Sequence, residues 1–155
     1  MPVPGLTLLP HFWPALLANH TSPTPRPSLL TAGADSAIHI FDLDAKPPGS
    51  GAEAAYTEIA PMVTIPSARS HRYAVTGIEW YVLDTGIFTT CSFDGSVRVW
   101  DTNAGETVFS FALGHRVFCH ALSPTGGHTL IAGHSGGTLT VAWSPKDEYT
   151  LASGG

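Results

Sequence analysis

Short runs in which apolar and polar residues alternate make up most of the second half of the chain. A two-residue period indicates a half-buried β-strand, and no window of useful length has the period of a helix. Asp94-Gly95 and the triplet Asn103-Ala104-Gly105 separate these runs, and such residues are typical of tight turns. The pattern therefore predicts four short antiparallel strands. They occupy residues 74–82, 86–93, 96–102 and 106–113.

Proline dominates the pattern of the first half, because eleven of the 13 prolines lie in residues 1–66. Proline cannot donate to a sheet ladder, so we expect little continuous sheet in this half. Residues 1–27 are predicted to be a disordered or irregular N-terminus, and residues 44–66 a flexible insertion. Between them, residues 28–43 predict two short strands around a turn at 34–36.

An internal repeat links the two halves of the chain. The segment LLTAGADSAIHIFD (29–42) aligns with FTTCSFDGSVRVWD (88–101) at an offset of 59 residues. Each copy has a threonine, an aspartate four residues later and an aromatic residue six positions after that. These residues are Thr31, Asp35 and Phe41 in the first unit, and Thr90, Asp94 and Trp100 in the second.

Four short strands joined by tight turns form one blade of a β-propeller. Residues 71–113 are expected to form a complete blade, and residues 28–43, 117–133 and 134–155 to form partial blades, the last of them truncated. The predicted fold class is therefore all-β, a partial β-propeller with one complete blade and parts of about three others.

Composition and charge narrow the possible functions. The chain has 155 residues, of which 43% are apolar, and this is enough for one domain with a modest core. Its formal net charge is −5 with only 7 lysines and arginines, which argues against direct binding of nucleic acid. Prolines interrupt the apolar N-terminal stretch, so we expect no membrane-spanning segment.

Two groups of residues could carry chemistry. The sequence GHSGG at 133–137 fits the G-x-S-x-G elbow of a serine hydrolase, but the β-rich sequence after it lacks the required helix and downstream histidine. His115, Cys119 and His120 would not converge in a strand, and two cysteines cannot make a four-cysteine zinc site. We therefore expect no enzyme activity, metal or cofactor, with the hydrolase as a disfavoured alternative.

The complete unit resembles a WD40 repeat. In that family a histidine early in the first strand bonds the aspartate of the hairpin turn and reaches a hydroxyl that meets a tryptophan indole. Such a network satisfies polar groups that a tight hairpin buries, so the role that the resemblance implies is structural rather than catalytic. The implied tetrad is His71, Thr90, Asp94 and Trp100, and the fourth unit has His134 and Ser153 at two of these positions.

Residues 71–113 also resemble the Cockayne syndrome group A (CSA) type of DNA excision repair protein. The motifs that carry this resemblance are HRY at 71–73, DTG at 84–86, SFD at 92–94 and WDTN at 100–103. The resemblance implies a non-enzymatic substrate receptor of a cullin–RING ubiquitin ligase, acting in transcription-coupled nucleotide excision repair in the nucleus. Its partners would be the ligase adaptor and repair factors.

The resemblance also suggests where partners could bind, since propeller rims flank the first strand and the turn between the second and third strands. Packing between blades is an equally good interpretation for two of the candidates, Tyr81 and Phe93. Aromatic and arginine side chains are typical anchors of protein interfaces. The candidates are Arg72, Tyr73, Glu79, Tyr81 and Phe93.

One departure from the family concerns the adaptor. The adaptor-docking pattern Trp-Asp-x-Arg has Asn103 in place of the arginine, which predicts weak or no adaptor binding. A generic WD40 scaffold unrelated to repair is the first alternative function.

Overall fold

The computed structural model describes seven stretches of the chain, which consist of short β-strands and turns. These stretches contain twelve strands and one short 3-10 turn, and none of their residues belongs to an α-helix. The all-β prediction is confirmed. Within the same stretches, no helix is long and apolar enough to cross a membrane. The stretches are residues 16–21, 27–45, 59–84, 86–124, 130–133, 140–144 and 150–154.

The first sheet has four antiparallel strands in chain order. They are β1 (Leu16–Thr21), β2 (Ser28–Gly33), β3 (Ile38–Asp42) and β4 (Val63–Ile65). The turn predicted between β2 and β3 is present, with Ser36 in the left-handed region at φ 63°.

The outer strands of this sheet correct two predictions. β1 lies in the predicted irregular N-terminus (1–27), and β4 lies in the predicted flexible insertion (44–66). The reason is that proline lies between strands here instead of within them, since Pro61 and Pro66 flank β4 and β1 contains none. The first unit is thus a four-stranded sheet and not only the pair at 28–43.

The second sheet also has four antiparallel strands, close to the predicted ones. They are β5 (Val75–Trp80), β6 (Ile87–Ser92), β7 (Ser96–Asp101) and β8 (Glu106–Ala112). Gly95 in the β6–β7 turn has φ 81°, and a Cβ atom there would meet the carbonyl oxygen of His115 at 3.0 Å. Only glycine fits this turn without strain.

The two four-stranded sheets have corresponding strands at a sequence offset of 59 residues. β1, β2 and β3 pair in the same register as β5, β6 and β7, and even the irregularity at Leu16/Ala18 recurs at Val75/Gly77. The repeat therefore begins at β1, earlier than the alignment of 29–42 indicates. The extra length lies between β3 and β4, where residues 43–62 replace the four-residue turn at 102–105.

The remaining strands form two smaller antiparallel sheets. The third sheet pairs β9 (Cys119–Leu122) with β10 (Leu130–Gly133), and the fourth pairs β11 (Thr140–Trp143) with β12 (Leu151–Gly154). Residues 134–139 are all that separates β10 from β11, so the third sheet has no room for two more strands before the fourth begins.

The main core lies between the first and second sheets. Its aromatic centre is Phe88, which stacks on Trp100 at 6.0 Å and meets Trp80 edge to face. A smaller buried cluster of Cys91, Val97 and Val117 lies between the second and third sheets. The second sheet is therefore packed on both faces. The main core consists of Leu30, Ala32, Ile38, Ile40, Ile65, Val75, Ile78, Trp80, Phe88 and Trp100.

Gly77 lies where the second sheet touches the third. A Cβ atom at this position would lie 2.8 Å from Cys91 Sγ and 2.9 Å from His120 Nδ1. Gly77→Ala should therefore force β5 and β9 apart and lower the free energy of unfolding by about 1–3 kcal/mol, measured by urea denaturation. Gly154→Ala is the control, since its nearest atom, Thr140 Cγ2, is 3.4 Å away. Equal stability losses in the two variants would contradict the expectation.

Candidate functional site

A buried chain of hydrogen bonds crosses the second sheet. The segment before β5 supplies His71, β6 supplies Thr90, the β6–β7 turn supplies Asp94 and β7 supplies Trp100. Trp100 Nε1 lies 2.8 Å from Thr90 Oγ1, which lies 2.6 Å from His71 Nε2. His71 Nδ1 lies 3.0 Å from Asp94 Oδ2. The structure therefore brings together all four members of the implied tetrad.

The position of each proton in this network follows from which groups can donate and which can accept. The indole N–H of Trp100 donates to the hydroxyl of Thr90, whose own proton is then given to Nε2 of His71. Nδ1 of His71 carries the ring proton and donates it to Asp94. Burial lowers the pKa of His71 below its usual value, although Asp94 acts in the opposite direction. The ring is therefore neutral at pH 7, and each buried polar atom of this hydrogen-bond network has a partner.

The carboxylate of Asp94 is the most heavily bonded group of the network. It accepts from the Ser96 hydroxyl at 2.6 Å, from the Ser96 backbone N–H at 2.9 Å and from the Arg72 backbone N–H at 3.1 Å. Burial alone would raise the pKa of Asp94, but the Ser96 hydroxyl, His71 and the Arg72 N–H outweigh it, so the pKa is lowered. Asp94 thus ties the hairpin turn to the segment that precedes β5.

The contact between the Asp94 turn and the segment before β5 also positions two of the candidate partner-binding residues at the surface. The Arg72 guanidinium lies 5.4 Å from the centre of the Tyr73 ring, and both side chains are exposed, Tyr73 by 53%. The backbone carbonyl of Tyr73 accepts a 3.0 Å hydrogen bond from the Ser92 hydroxyl. Arg72 and Tyr73 therefore form an exposed pair whose backbone is held by hydrogen bonds to Asp94 and Ser92.

The other three candidates lie elsewhere, so the five do not form one surface. Glu79 Oε2 accepts the Leu122 backbone N–H at 2.8 Å, and burial raises the pKa of this carboxyl group. Phe93 meets Phe118 edge to face at 5.3 Å, and Tyr81 is half-buried after β5. Glu79 and Phe93 thus belong to contacts inside the protein, because both point toward the chain that follows β8.

The first unit carries a reduced version of the network. Thr31 is buried opposite His39, and Phe41 occupies the place of Trp100. Phenylalanine has no N–H, so the indole bond is absent there. Asp35 is exposed and accepts the nearby Ala37 N–H at 3.1 Å.

The candidate residues of the fourth unit are not brought to such a site within the described part of the chain. Ser153 is exposed in β12, and His134 lies outside the described residues. Ser135 of the GHSGG motif also lies outside them.

Several inter-sheet contacts carry no signal in the sequence. Thr89 Oγ1 lies 2.8 Å from His120 Nε2, and Thr76 Oγ1 donates to the Val117 carbonyl at 2.8 Å. Cys91 is fully buried, and this burial raises the pKa of its thiol to about 12, so it is a packing residue and not a nucleophile. Only the Thr89–Thr90 pair in β6 hints that this strand presents a hydroxyl on each face.

Thr90 joins the two halves of the tetrad through its hydroxyl. Valine has nearly the same shape as threonine, so replacing Thr90 by valine removes the hydroxyl with little other change. Thr90→Val leaves the Trp100 N–H and His71 Nε2 without their shared partner in a fully buried site. We expect the free energy of unfolding to fall by about 1–3 kcal/mol in urea titrations. Thr107→Val, on the exposed strand β8, is the matched control. A loss no larger than that of the control would contradict the role assigned to Thr90.

The lowered pKa of His71 makes the network sensitive to acid. Below the usual pKa of 6.5, the unfolded chain binds a proton that folded His71 does not. The stability contributed by His71 should therefore be largest at about pH 7 and above, and decrease as the pH falls through and below 6.5. The measurement is the difference in unfolding free energy between the wild type and His71→Gln across that range. A difference that stays constant, or grows toward acid, would show that folding does not lower the pKa of His71.

The comparisons with known proteins agree with this geometry. A family model for the WD domain, G-beta repeat, matches residues 63–101. The match begins in β4 and ends in β7, so one sequence repeat spans the last strand of the first sheet and three strands of the second.

Three relatives cover different shares of the chain. WD repeat-containing protein ATCSA-1 of Arabidopsis thaliana is 32% identical in an alignment of 153 positions, which covers 82% of this chain and 34% of that protein. Radiation-sensitive protein 28 of Saccharomyces cerevisiae is 41% identical over 51 residues, 33% of this chain and 10% of that protein. The ribosome biogenesis protein WDR12 homolog of Anopheles gambiae is 27% identical in an alignment of 118 positions, which covers 61% of this chain and 26% of that protein.

The chain thus spans about a third or less of the length of these relatives. The family match, the four-stranded sheets and the buried His71–Trp100 network all point to the same assignment. The chain contains a WD40 repeat, and its described residues have the fold of a partial β-propeller.

Proposed function

We propose that this chain acts as part of a CSA-type substrate receptor of a cullin–RING ubiquitin ligase in transcription-coupled nucleotide excision repair, and that it works in the nucleus. WD40 repeats are protein-interaction scaffolds, and the family match supports this general role. Support for the specific role in repair comes from ATCSA-1, which matches 82% of the chain, and from the motifs in residues 71–113. The name of the yeast relative, which refers to radiation sensitivity, fits the same assignment.

The observation that carries the proposal is the Asp94 contact beneath Arg72 and Tyr73. A side chain that binds a partner costs less conformational entropy when its backbone is already ordered. The Arg72 N–H is bonded to Asp94 in the β6–β7 turn and the Tyr73 carbonyl to Ser92 at the end of β6, while the two side chains remain exposed. The tetrad would then act as a frame and the Arg72–Tyr73 pair as the contact to repair factors.

The double variant Arg72→Ala/Tyr73→Ala tests this surface. Both side chains are exposed, so the variant should keep the wild-type unfolding free energy to within about 0.5 kcal/mol. Capture of transcription-coupled repair factors from ultraviolet-irradiated cells should fall at least about tenfold, which corresponds to the loss of one good interface anchor. Quantitative pull-down with the tagged chain measures this loss.

Arg69→Ala is the matched control for this experiment. Arg69 is also exposed, but it contacts Glu106 at 3.5 Å and the Gly105 carbonyl at 3.3 Å, away from the Asp94 turn. Undiminished capture by the double variant would remove the proposed surface. Failure of the wild-type chain to capture repair factors would instead favour a WD40 scaffold unrelated to repair.

Asn103 provides an independent test of the ligase connection. It is exposed in the β7–β8 turn, and its backbone N–H is bonded to Asp101 Oδ1 at 2.8 Å, so the turn does not depend on its side chain. We expect the wild-type chain to capture little of the ligase adaptor, and Asn103→Arg to increase capture at least about threefold by adding a charge-assisted contact. Asn103→Lys is the control for charge alone. Stoichiometric capture by the wild type, or no gain with Asn103→Arg, would contradict the role assigned to Asn103, and the first of these results would support the ligase connection.

A further inference from the structure

The outermost strand of the second sheet carries an uncovered apolar strip. Phe109 and Phe111 in β8 are 64% and 51% exposed, and their rings stack at 6.4 Å with an interplanar angle of 16°. Every residue of β8 is exposed. Two adjacent aromatic rings on the surface of a sheet are a costly arrangement in water and mark an interaction site.

The strip continues an interface that the protein already has. In the sheet register, Phe111 lies beside Val97 and Phe109 lies beside Val99, so all four occupy one face. Val97 is buried on that face by Val117 at the start of the third sheet. Coverage thus decreases outward across the second sheet, from the buried Val97 to the exposed Phe111.

The first sheet provides an internal comparison. At the offset of 59 residues, Ile38 corresponds to Val97, and Ile38 pairs with Ile65 as Val97 pairs with Phe111. Ile65 is only 1% exposed, because it belongs to the core that the four-stranded second sheet covers. The same position on the second sheet is 51% exposed.

The difference follows from the number of strands in the covering sheet. The third sheet contains β9 and β10 and no further strand within the described residues, and residues 134–139 are too few to add a hairpin. Its outer half is therefore missing where it would lie over Phe109 and Phe111. Among the described residues β10 pairs only with β9, so its other side is a sheet edge there.

We propose that this strip is a docking surface for a β-hairpin supplied by a partner protein, whose first strand pairs with β10 and whose apolar face covers Phe109 and Phe111. A hairpin fits better than a helix, because the edge of β10 offers backbone donors and acceptors to an added strand. A second copy of this chain is a poorer occupant, since the β7–β8 hairpin of each copy is already part of its own second sheet.

The chain itself contains the best probe for this site. The β7–β8 hairpin is the outer half of the second sheet, and Trp100 in it belongs to the core that covers Ile65 of the first sheet. A fluorescein-labelled synthetic peptide with the sequence of residues 96–113 therefore mimics the missing half. We expect a saturable rise in its fluorescence polarisation when the full chain is added, and none with a scrambled peptide.

Variants of the full chain separate this surface from nonspecific stickiness. Phe109→Ser/Phe111→Ser should weaken peptide binding at least tenfold. Val108→Ser should change it less than twofold, because Val108 is 53% exposed but occupies the unpaired position of the bulge between the Val99 and Trp100 pairs. Near-UV circular dichroism reports whether the variants keep the wild-type core.

A second readout does not depend on the variants. Hydrogen exchange of the wild-type chain should become slower in β8 and β10 together when the peptide binds. No saturable binding, equal binding by all variants, or protection elsewhere would overturn the proposal. The proposal would also be overturned if light scattering without peptide showed a dimeric wild type and a monomeric Phe109→Ser/Phe111→Ser variant. The strip would then be covered by a second copy of the chain.

Discussion

The hydroxyl of Thr90 joins two side chains that come from distant parts of the second sheet, and the rest of the sheet depends on that junction. It accepts from Trp100 on the neighbouring strand and donates to His71, which lies before the first strand of the sheet. His71 in turn bonds the carboxylate of the hairpin turn. One buried series of hydrogen bonds therefore holds together the segment before the sheet, its second and third strands and the turn between them.

This network lets a polar group sit beside an aromatic core. Trp100 stacks on Phe88 in the core between the first and second sheets, while its N–H is satisfied within the network. In the first sheet, Phe41 takes the equivalent position with no N–H to satisfy. The same fold is thus built once with a hydrogen-bonded tryptophan and once with a purely apolar ring. The second sheet, which carries the exposed Arg72–Tyr73 pair, is the one with the complete network.

The hydrogen bonds between the second and third sheets depend on how the two sheets pack together, and no local sequence motif indicates them. Thr76, Thr89 and Glu79 each bond a residue that follows β8, and together they align the third sheet on the second. Where the third sheet ends after two strands, this alignment ends too, and the aromatic rings of β8 remain in water. The number of strands in each sheet therefore decides which apolar residues form core and which form surface.

The elements that could be predicted are those whose signals are local. Asp94-Gly95 and the alternation around it give β6 and β7, and the resemblance to WD40 repeats gives the tetrad. β1 has no clear signal because LLANHT does not alternate, and the three-residue strand β4, which lies between two prolines, forms only because β3 offers an edge. The role of Glu79 depends on the register between β5 and β9, which no local pattern encodes.

Hydrogen exchange of the Trp100 indole N–H, followed by nuclear magnetic resonance, tests the central role of the network most directly. This proton is fully buried and bonded to Thr90 at 2.8 Å. Our account predicts that it exchanges only when the whole sheet unfolds, with the free energy of exchange equal to that of global unfolding. Exchange as fast as that of an exposed indole would contradict the account, because the sheet would then be held by other interactions.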